Sequence, residues 1–238
     1  MAIKPILFNT EMVRAILDGR KTCTRRSVSS RQFLGMLPDK CKNAAPDEFL
    51  KGKRMMFKPY CDMTDAELIM TAYKAPYKYE PGDILYVRET VWQKIGYYLD
   101  IDGETKPSWY NEFKYVASDE KPETGWNYSW AKRPSIHMPK EAARIWLKVT
   151  DVKVERLQEI TEDGAKAEGA KQCYEQINTI ENKPVTYLAE DYKGYYVLGF
   201  KSVWNSTIKK ADIDRYGWNA NPWVWVIEFE RCEKPEGV

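Results

Sequence analysis

The chain of 238 residues is almost without histidine and has neither closely spaced cysteines nor long apolar runs. Its one histidine is His137, and its five cysteines are odd in number, with no Cys-x-x-Cys pair. Zinc sites need cysteine and histidine at close spacing, and disulfide frameworks need cysteines in even number. We therefore expect no metal, no other cofactor, and reduced thiols of the kind found in cytoplasmic proteins. The five cysteines are Cys23, Cys41, Cys61, Cys173 and Cys232.

The lack of a long apolar stretch argues against a membrane partner. Nowhere do about eighteen apolar residues follow one another, as a membrane-spanning helix requires. The first residues, Met1 to Pro5, lack the apolar core of a signal peptide. Composition is that of an ordinary globular protein, with 43% hydrophobic and 30% charged residues. We expect a cytoplasmic protein, folded as a single domain over residues 1–238.

Charge is distributed unevenly along the chain, although the net charge is only +2. Residues 1–60 carry thirteen Lys or Arg against five Asp or Glu, which gives +8 there and −6 in the remainder. A basic region of this kind favours an anionic partner, such as a nucleotide or a nucleic acid. Surface lysines can also serve solubility alone, so both interpretations stay open.

The segment 19–26, Gly-Arg-Lys-Thr-Cys-Thr-Arg-Arg, concentrates reactive side chains directly after a glycine helix stop. Apolar residues recur in it at neither period 2 nor period 3.6, so we expect an exposed, irregular loop. A lysine beside other cations can take a proton from a hydroxyl, and arginines bind phosphate or polarise a carbonyl. Lys21 and Thr24 are therefore candidate reactive residues, and a solvated basic loop is the alternative. Cys23 is a weaker candidate nucleophile, because no histidine lies near it in the sequence.

Local signals predict a mixed α+β fold. Strands are predicted at 5–8, 84–92, near 113–117, 144–157 and 221–231. Helices are predicted from an N-cap at Thr10 to Gly19, from an N-cap at Thr161 to Gly169, and over 191–207. Glu168 falls in the last turn of the second of these helices, where a carboxylate opposes the helix dipole, and this favours a retained purpose for it.

Three segments are predicted to be insertions, at 27–80, 93–133 and 171–190. The first contains a capping box at Thr64 that predicts a helix to Tyr73. The second is rich in Trp, Tyr, Gly, Asp and Pro, which indicates long loops around one strand. Aromatic loops can stack on a base or pack in a core, and packing is the safer interpretation of any one side chain.

Other candidate contacts lie outside these segments. Arg88 and Glu89, at the end of a predicted strand, form either a buried ion pair or a ligand contact. His137 lies in a proline-bounded link, 134–139, where a structural or substrate-positioning role is favoured over that of a general base.

The order of these pieces resembles the ASCH family, a branch of the PUA-like superfamily. The matching motifs cover about half of the chain and resemble most closely the longer ASCH proteins of phages and prophages. They are 19–26 with Gly-Arg-Lys-Thr-x-Thr-x-Arg, 81–87 with Pro-Gly-Asp-x-Leu-x-Val, 88–90, 134–139, the passage 157–169, and 221–229. For a phage-encoded protein, the expected location is the host cytoplasm. The resemblance implies a PUA-like mixed β-barrel with flanking helices.

The core is also similar to that of small bacterial ASCH amidohydrolases, which remove the acyl group from N4-acetylcytidine with a lysine, a threonine and a glutamate. The resemblance assigns those roles to Lys21, Thr24 and Glu168, with a modified nucleoside or nucleotide as substrate and no metal. Neutral Lys21 would take the proton of Thr24, which attacks the amide carbonyl, while Glu168 orients the lysine or carries the proton to the leaving amine. The candidate substrate contacts are Arg20, Arg25, Arg26, Arg88, Glu89 and His137.

Two other functions stay open. The PUA-like resemblance, the basic N-terminal region and the aromatic segments also fit an RNA-binding module or a ribonuclease. A phage accessory protein that binds a host partner or a modified nucleotide without catalysis is the third. We favour the enzyme, because Glu168 has little use in binding phosphate.

Overall fold

The computed structural model describes residues 1–28, 78–178, 183–189 and 194–237. The chain divides into two units, unit 1 with Met1–Arg20, Gly82–Val149 and Phe229–Val238, and unit 2 with Lys21–Pro81 and Thr150–Glu228. Most of the predicted insertion at 27–80, including its predicted helix from Thr64, lies outside the described residues. The single domain over 1–238 stays a prediction.

Unit 1 begins with strand β1 (Ile3–Leu7) and helix α1 (Thr10–Leu17). The helix buries Val13, Ala15 and Ile16 on one face. Its N-cap is Asn9 and not Thr10 as predicted, because Asn9 has extended backbone and its Oδ1 accepts a 2.9 Å hydrogen bond from the amide of Met12. Gly19 follows the helix with a φ of 73°, which confirms it as the predicted helix stop.

Strand β3 (Ile84–Arg88) pairs in parallel with β1 and antiparallel with the first residues of β7 (Trp146–Arg156). The predicted strand 84–92 is broken, since Glu89 and Thr90 separate β3 from strand β4, which starts at Val91. A core cluster covers this junction. It consists of Ile84, Val91, Met138, Ala142, Ala143 and Trp146.

Strands β4 (Val91–Leu99), β5 (Thr105–Tyr115) and β6 (Tyr128–Arg133) form an antiparallel sheet in the order β5-β4-β6. The prediction of long loops around one strand at 93–133 is wrong. Most residues of β5 are exposed, so the apolar alternation that marks a half-buried strand is missing. A short 3-10 turn, Ser135–His137, follows β6.

Unit 2 contains strand β2 (Cys23–Ser27), which pairs antiparallel with β10 (Trp223–Cys232) through residues 224–228. Helix α2 (Glu162–Ala167) has Thr161 as its N-cap, as predicted, with the threonine side chain accepting from the amide of Gly164. The described residues of this unit also include strands β8 (Cys173–Asn178) and β9 (Lys183–Leu188), which form a hairpin, and helices α3 (Tyr196–Thr207) and α4 (Ile213–Tyr216).

The core of unit 2 lies between its strands and its helices α2 and α3. Val224 and Val226 from β10 pack with Ala165 from α2. Phe200 and Trp204 of α3 belong to the same cluster, with their ring centroids 5.9 Å apart. Tyr195, within the predicted helix 191–207, is exposed and precedes the first helical residue.

The fold is mixed α+β and consists mostly of strands, as predicted. In unit 1 the sheet order is β1-β3-β7, and in unit 2 it is β7-β10-β2, because β7 and β10 contribute residues to both units. Among the described residues no sheet closes into a barrel, contrary to the β-barrel that the resemblance implies.

Candidate active site

Lys21 and Glu168 form a buried ion pair at the end of helix α2. Glu168 is the C-cap of the helix, and Gly169 after it has a φ of 80°. The backbones of Lys21 and Glu168 form an isolated antiparallel bridge, and the amide of Thr22 donates to the carbonyl of Ala167 at 2.8 Å. Lys21 Nζ lies 2.5 Å from Glu168 Oε2 and donates to the backbone oxygen of Glu168 at 3.0 Å. The side chains are 0% and 4% exposed, so the pair is shielded from water.

Arg25 and Glu155 extend this pair into a cluster of four charges. Arg25 Nη1 lies 3.4 Å from Glu168 Oε1, and Arg25 Nη2 lies 2.7 Å from Glu155 Oε1. Two cations and two carboxylates therefore balance in one buried group. Burial lowers the pKa of Arg25, but the carboxylates of Glu168 and Glu155 outweigh it and leave that pKa raised. The guanidinium thus stays charged and holds both carboxylates.

Two further features of the structure position the Arg25 side chain. Its guanidinium carbon lies 5.9 Å from the centroid of the Phe200 ring. A Cβ atom at Gly164 would lie 3.2 Å from Arg25 Nη2, so the glycine in α2 leaves the room that the guanidinium occupies. The predicted exposed loop at 19–26 is therefore wrong, since Lys21, Thr24 and Arg25 are all buried, and the charges are matched inside the protein.

The position of Glu168 at a helix C-terminus is explained by its two cations. The C-terminal end of a helix carries partial negative charge and repels a carboxylate. The Lys21 ammonium and the Arg25 guanidinium both contact this carboxylate, and they offset that repulsion.

Thr24 is buried in β2, directly opposite Ile227 of β10. Its neighbour Arg25 lies opposite Val226, and successive strand residues point to opposite faces of a sheet. The side chain of Thr24 therefore lies on the other face of β2 from Arg25 and Cys23. Arg26 lies opposite Trp225, on the face of Thr24.

Cys23 is a thiol and not a thiolate at neutral pH. Burial, together with the nearby Glu168 carboxylate, raises its pKa to about 12. Its Sγ lies 3.9 Å from the backbone oxygen of Gly164 and 3.6 Å from Arg25 Nη1. The thiol therefore fills space beside the charge cluster and is unsuited to nucleophilic attack.

The other predicted substrate contacts, Arg20, Arg88, Glu89 and His137, lie in unit 1. Arg20 is exposed and pairs with Asp18 at 2.9 Å. Arg88 donates to the backbone oxygen of Ile136, and the neighbouring His137 is exposed.

Glu89 is a buried ion-pair partner, the first of the two roles left open for it. Arg144 binds its carboxylate with two hydrogen bonds, from Nε to Oε1 at 2.8 Å and from Nη2 to Oε2 at 3.0 Å. The same guanidinium lies 3.9 Å from the centroid of the Tyr115 ring. Two-point binding by one arginine satisfies this carboxylate within the fold.

Sequence reasoning missed Glu155 and Arg144, the partners of Arg25 and Glu89. In strand β7, Glu155 alternates with buried Val154 and so looks like a solvent-facing residue. Arg144 lies 55 positions from its partner, and Glu155 lies 130 positions from Arg25. No local pattern marks pairs of such separation.

Within the ranges that the structure describes, no helix has the length and apolar character to cross a membrane. In those same ranges no group of three or more His, Cys, Asp or Glu side chains is placed to hold a metal ion. Comparisons of the chain with protein-family models, with curated proteins and with solved structures find no match.

Proposed function

We propose that the protein is an ASCH-type amidohydrolase of the PUA-like superfamily that removes the acyl group from N4-acylated cytosine or cytidine compounds. The observation that carries the proposal is the buried Lys21–Glu168 pair, with 2.5 Å between Nζ and Oε2. Thr24 follows Lys21 by three residues and is also buried.

A lysine that faces a carboxylate in a site shielded from water is suited to moving protons. Lysine can exist as a neutral amine, whereas arginine stays charged in proteins. Transfer of one proton from Lys21 Nζ to Glu168 Oε2 gives a neutral amine beside a neutral carboxylic acid. The amine is then a base, and the carboxylic acid is a proton donor.

The proposed reaction uses these two groups in turn. Lys21 takes the hydroxyl proton as Thr24 Oγ1 attacks the acyl carbonyl carbon. The bond from that carbon to N4 then breaks while N4 takes the proton of the Glu168 carboxylic acid, which restores the Lys21 ammonium and the Glu168 carboxylate. Water then hydrolyses the acyl-threonine ester, which releases the carboxylic acid and restores the hydroxyl. For the first step Thr24 Oγ1 has to lie within about 3.2 Å of Lys21 Nζ in the substrate complex. The Thr24 side chain lies on the face of β2 opposite to Arg25, and Lys21 precedes the strand by two residues.

Arg25 is assigned a positioning role in this reaction. Its guanidinium is buried against Glu155 and Glu168, so its charge is already used within the protein. Substrate contacts by Arg20, Arg26, Arg88 and His137 stay predictions from the resemblance, whereas the Glu89 carboxylate is already bound by Arg144.

The test is deacylation of N4-acetylcytidine, followed by chromatography and ultraviolet absorbance, with wild type, Thr24→Ala and Thr24→Ser. Thr24→Ser keeps the hydroxyl, so we expect it to retain measurable turnover, whereas Thr24→Ala should lose at least about 100-fold. Equal rates for wild type and Thr24→Ala would overturn the nucleophile. No turnover by wild type at high enzyme concentration would overturn the activity.

A further inference from the structure

We propose that one face of the β5-β4-β6 sheet binds single-stranded nucleic acid by stacking bases on its aromatic side chains. Cross-strand register assigns the side chains to the two faces, because residues directly opposite each other share a face. The stacking face carries five aromatic side chains and four lysines. They are Trp92, Tyr98, Tyr110, Tyr128 and Trp130, with Lys94, Lys106, Lys114 and Lys132.

The aromatic rings at the centre of this face are held in place by the sheet. A Cβ atom at Gly96 would lie 2.6 Å from Tyr110 Cε2, so the ring of Tyr110 lies across the glycine backbone. Lys94 Nζ lies 5.4 Å from the Tyr110 centroid and 4.8 Å from the Tyr128 centroid. Rings that are already ordered lose less side-chain entropy when a base stacks on them.

Charge on the stacking face complements a phosphate backbone. Lys114 and Lys132 lie directly opposite Trp92 from the two neighbouring strands, and neither makes an ion pair with a described residue. Lys94 pairs with Glu112 at 2.9 Å and Lys106 pairs with Asp100, so Lys114 and Lys132 are the lysines of this face that supply charge for a phosphate backbone. Most acidic residues of the segment lie in its two connecting loops, at 100–104 and 119–123. Unpaired lysines beside aromatic rings are the combination that proteins use to bind single strands.

The opposite face has a different character. At one end Val91 and Phe113 pack into the core cluster of unit 1. Further along this face, Trp109 lies under the Arg133 guanidinium at 5.0 Å, and the Tyr97 hydroxyl lies 3.3 Å from Ser129 Oγ. The stacking of bases on aromatic rings and the attraction of lysines to phosphates do not depend on the identity of the base or on the 2′-hydroxyl of the sugar. We therefore expect RNA and DNA single strands to bind alike, and more tightly than duplexes of the same length.

The sheet supplies matched variants for the test, since neighbouring aromatic residues of similar exposure point to opposite faces. Tyr98 and Tyr97 are 53% and 56% exposed, and Tyr110 and Trp109 are 45% and 50% exposed. Binding is measured by fluorescence anisotropy with labelled oligo(dT) and oligo(rU) of about 12 nucleotides, over a series of salt concentrations. Circular dichroism checks that each variant is folded.

We expect Tyr98→Ala and Tyr110→Ala each to raise Kd about tenfold. Tyr97→Ala and Trp109→Ala should change Kd less than about twofold, since they leave the stacking rings in place. Lys132→Gln should flatten the slope of log K against log salt by about 0.7. Tyr98 lies near the end of β4, so Tyr98→Ala carries the test even if Tyr110→Ala fails to fold.

Three results would overturn the proposal. They are equal losses from variants on the two faces, no salt-dependent binding of either oligonucleotide by wild type, and binding to vesicles of anionic lipid without binding to oligonucleotides. The last result would identify the face as a membrane-surface contact. Deacylation of free N4-acetylcytidine is measured on the same variants and should not change, so that this test and the test of the amidohydrolase fail separately.

Discussion

Each unit contains a lysine–carboxylate pair of nearly the same length, but the two pairs differ in their surroundings. In unit 1, Lys4 Nζ lies 2.6 Å from Asp83 Oδ2, and the lysine side chain is 27% exposed. In unit 2, Lys21 Nζ lies 2.5 Å from Glu168 Oε2, and the lysine side chain is fully buried. The two carboxylates are buried alike, at 5% and 4% exposure of the side chain, so the pairs differ in the lysine. Water reaches Lys4, whereas Lys21 is enclosed with Glu168 beside Arg25 and Glu155.

The comparison teaches that the contact alone does not mark a reactive site. Asp83 also accepts a 2.8 Å hydrogen bond from the amide of Ala2, so its pair with Lys4 ties the N-terminus to the turn before β3. The Lys21 pair joins the end of α2 to the chain just before β2. The Lys21 ammonium is shielded from water and faces the Glu168 carboxylate, and the proposed chemistry needs a proton transfer between these two groups.

The largest expected effect is the difference in stability between two variants, Lys21→Met and Lys4→Met. Lys21→Met leaves the buried Glu168 carboxylate with only the 3.4 Å contact to Arg25 in the cluster, and this should lower the free energy of unfolding by about 3 kcal/mol. Lys4→Met removes a partly exposed lysine and leaves the buried Asp83 carboxylate its hydrogen bond from the Ala2 amide, so it should cost only about 1 kcal/mol. Urea unfolding of the two variants gives both values, and equal losses would contradict the distinction.

A smaller effect is expected from Glu155→Gln, which weakens the support of Arg25. The expected result is a fall of about tenfold in kcat with KM unchanged, because Glu168 loses its fixed position while substrate contacts remain. Glu228→Gln is the matched control, since Glu228 pairs with Lys153 at 2.8 Å and is part of no buried cluster. A rise in KM without loss of kcat would instead place Glu155 among the substrate contacts.

The smallest effect concerns Cys23, whose thiol pKa is raised by burial to about 12. At pH 8 the folded protein should therefore be alkylated at Cys23 far more slowly than the unfolded protein, as peptide mapping by mass spectrometry would measure. Folding holds the thiol proton more tightly, so this contribution to stability is complete below the ordinary pKa of 9.0 and is lost as the pH rises toward 12. Rapid labelling of Cys23 in the folded protein would show that water reaches the cluster.

The elements with strong local signals could be predicted from the sequence. The Thr161 cap and Gly169 fix the ends of α2, and β-branched and aromatic residues mark β7 and β10. The position of Glu168 at a helix C-terminus is unfavourable for a carboxylate, and this indicates from the sequence that the residue has a retained purpose. The structure shows the two cations, Lys21 and Arg25, that offset the unfavourable position.

The remaining features depend on partners that are distant in the sequence. Strand β2 has a polar sequence, and it is buried because Glu155 and Glu168, more than 125 positions away, match its charges. Strands β4 and β5 carry exposed aromatic residues, so they lack the apolar alternation that would distinguish them from loops in the sequence. The periodicity of apolar residues indicates which face of an element is buried. It therefore fails to predict strands that bury charged residues and strands whose aromatic residues are exposed.

The most direct measurement of the central claim compares N4-acetylcytidine turnover by Glu168→Gln and Asp83→Asn. Both substitutions remove a carboxylate that faces a lysine, so they perturb similar contacts in the two units. The account predicts a loss of at least about 100-fold for Glu168→Gln and less than about twofold for Asp83→Asn. Equal losses, or full activity in Glu168→Gln, would contradict the assignment of the Lys21–Glu168 pair as the reactive centre.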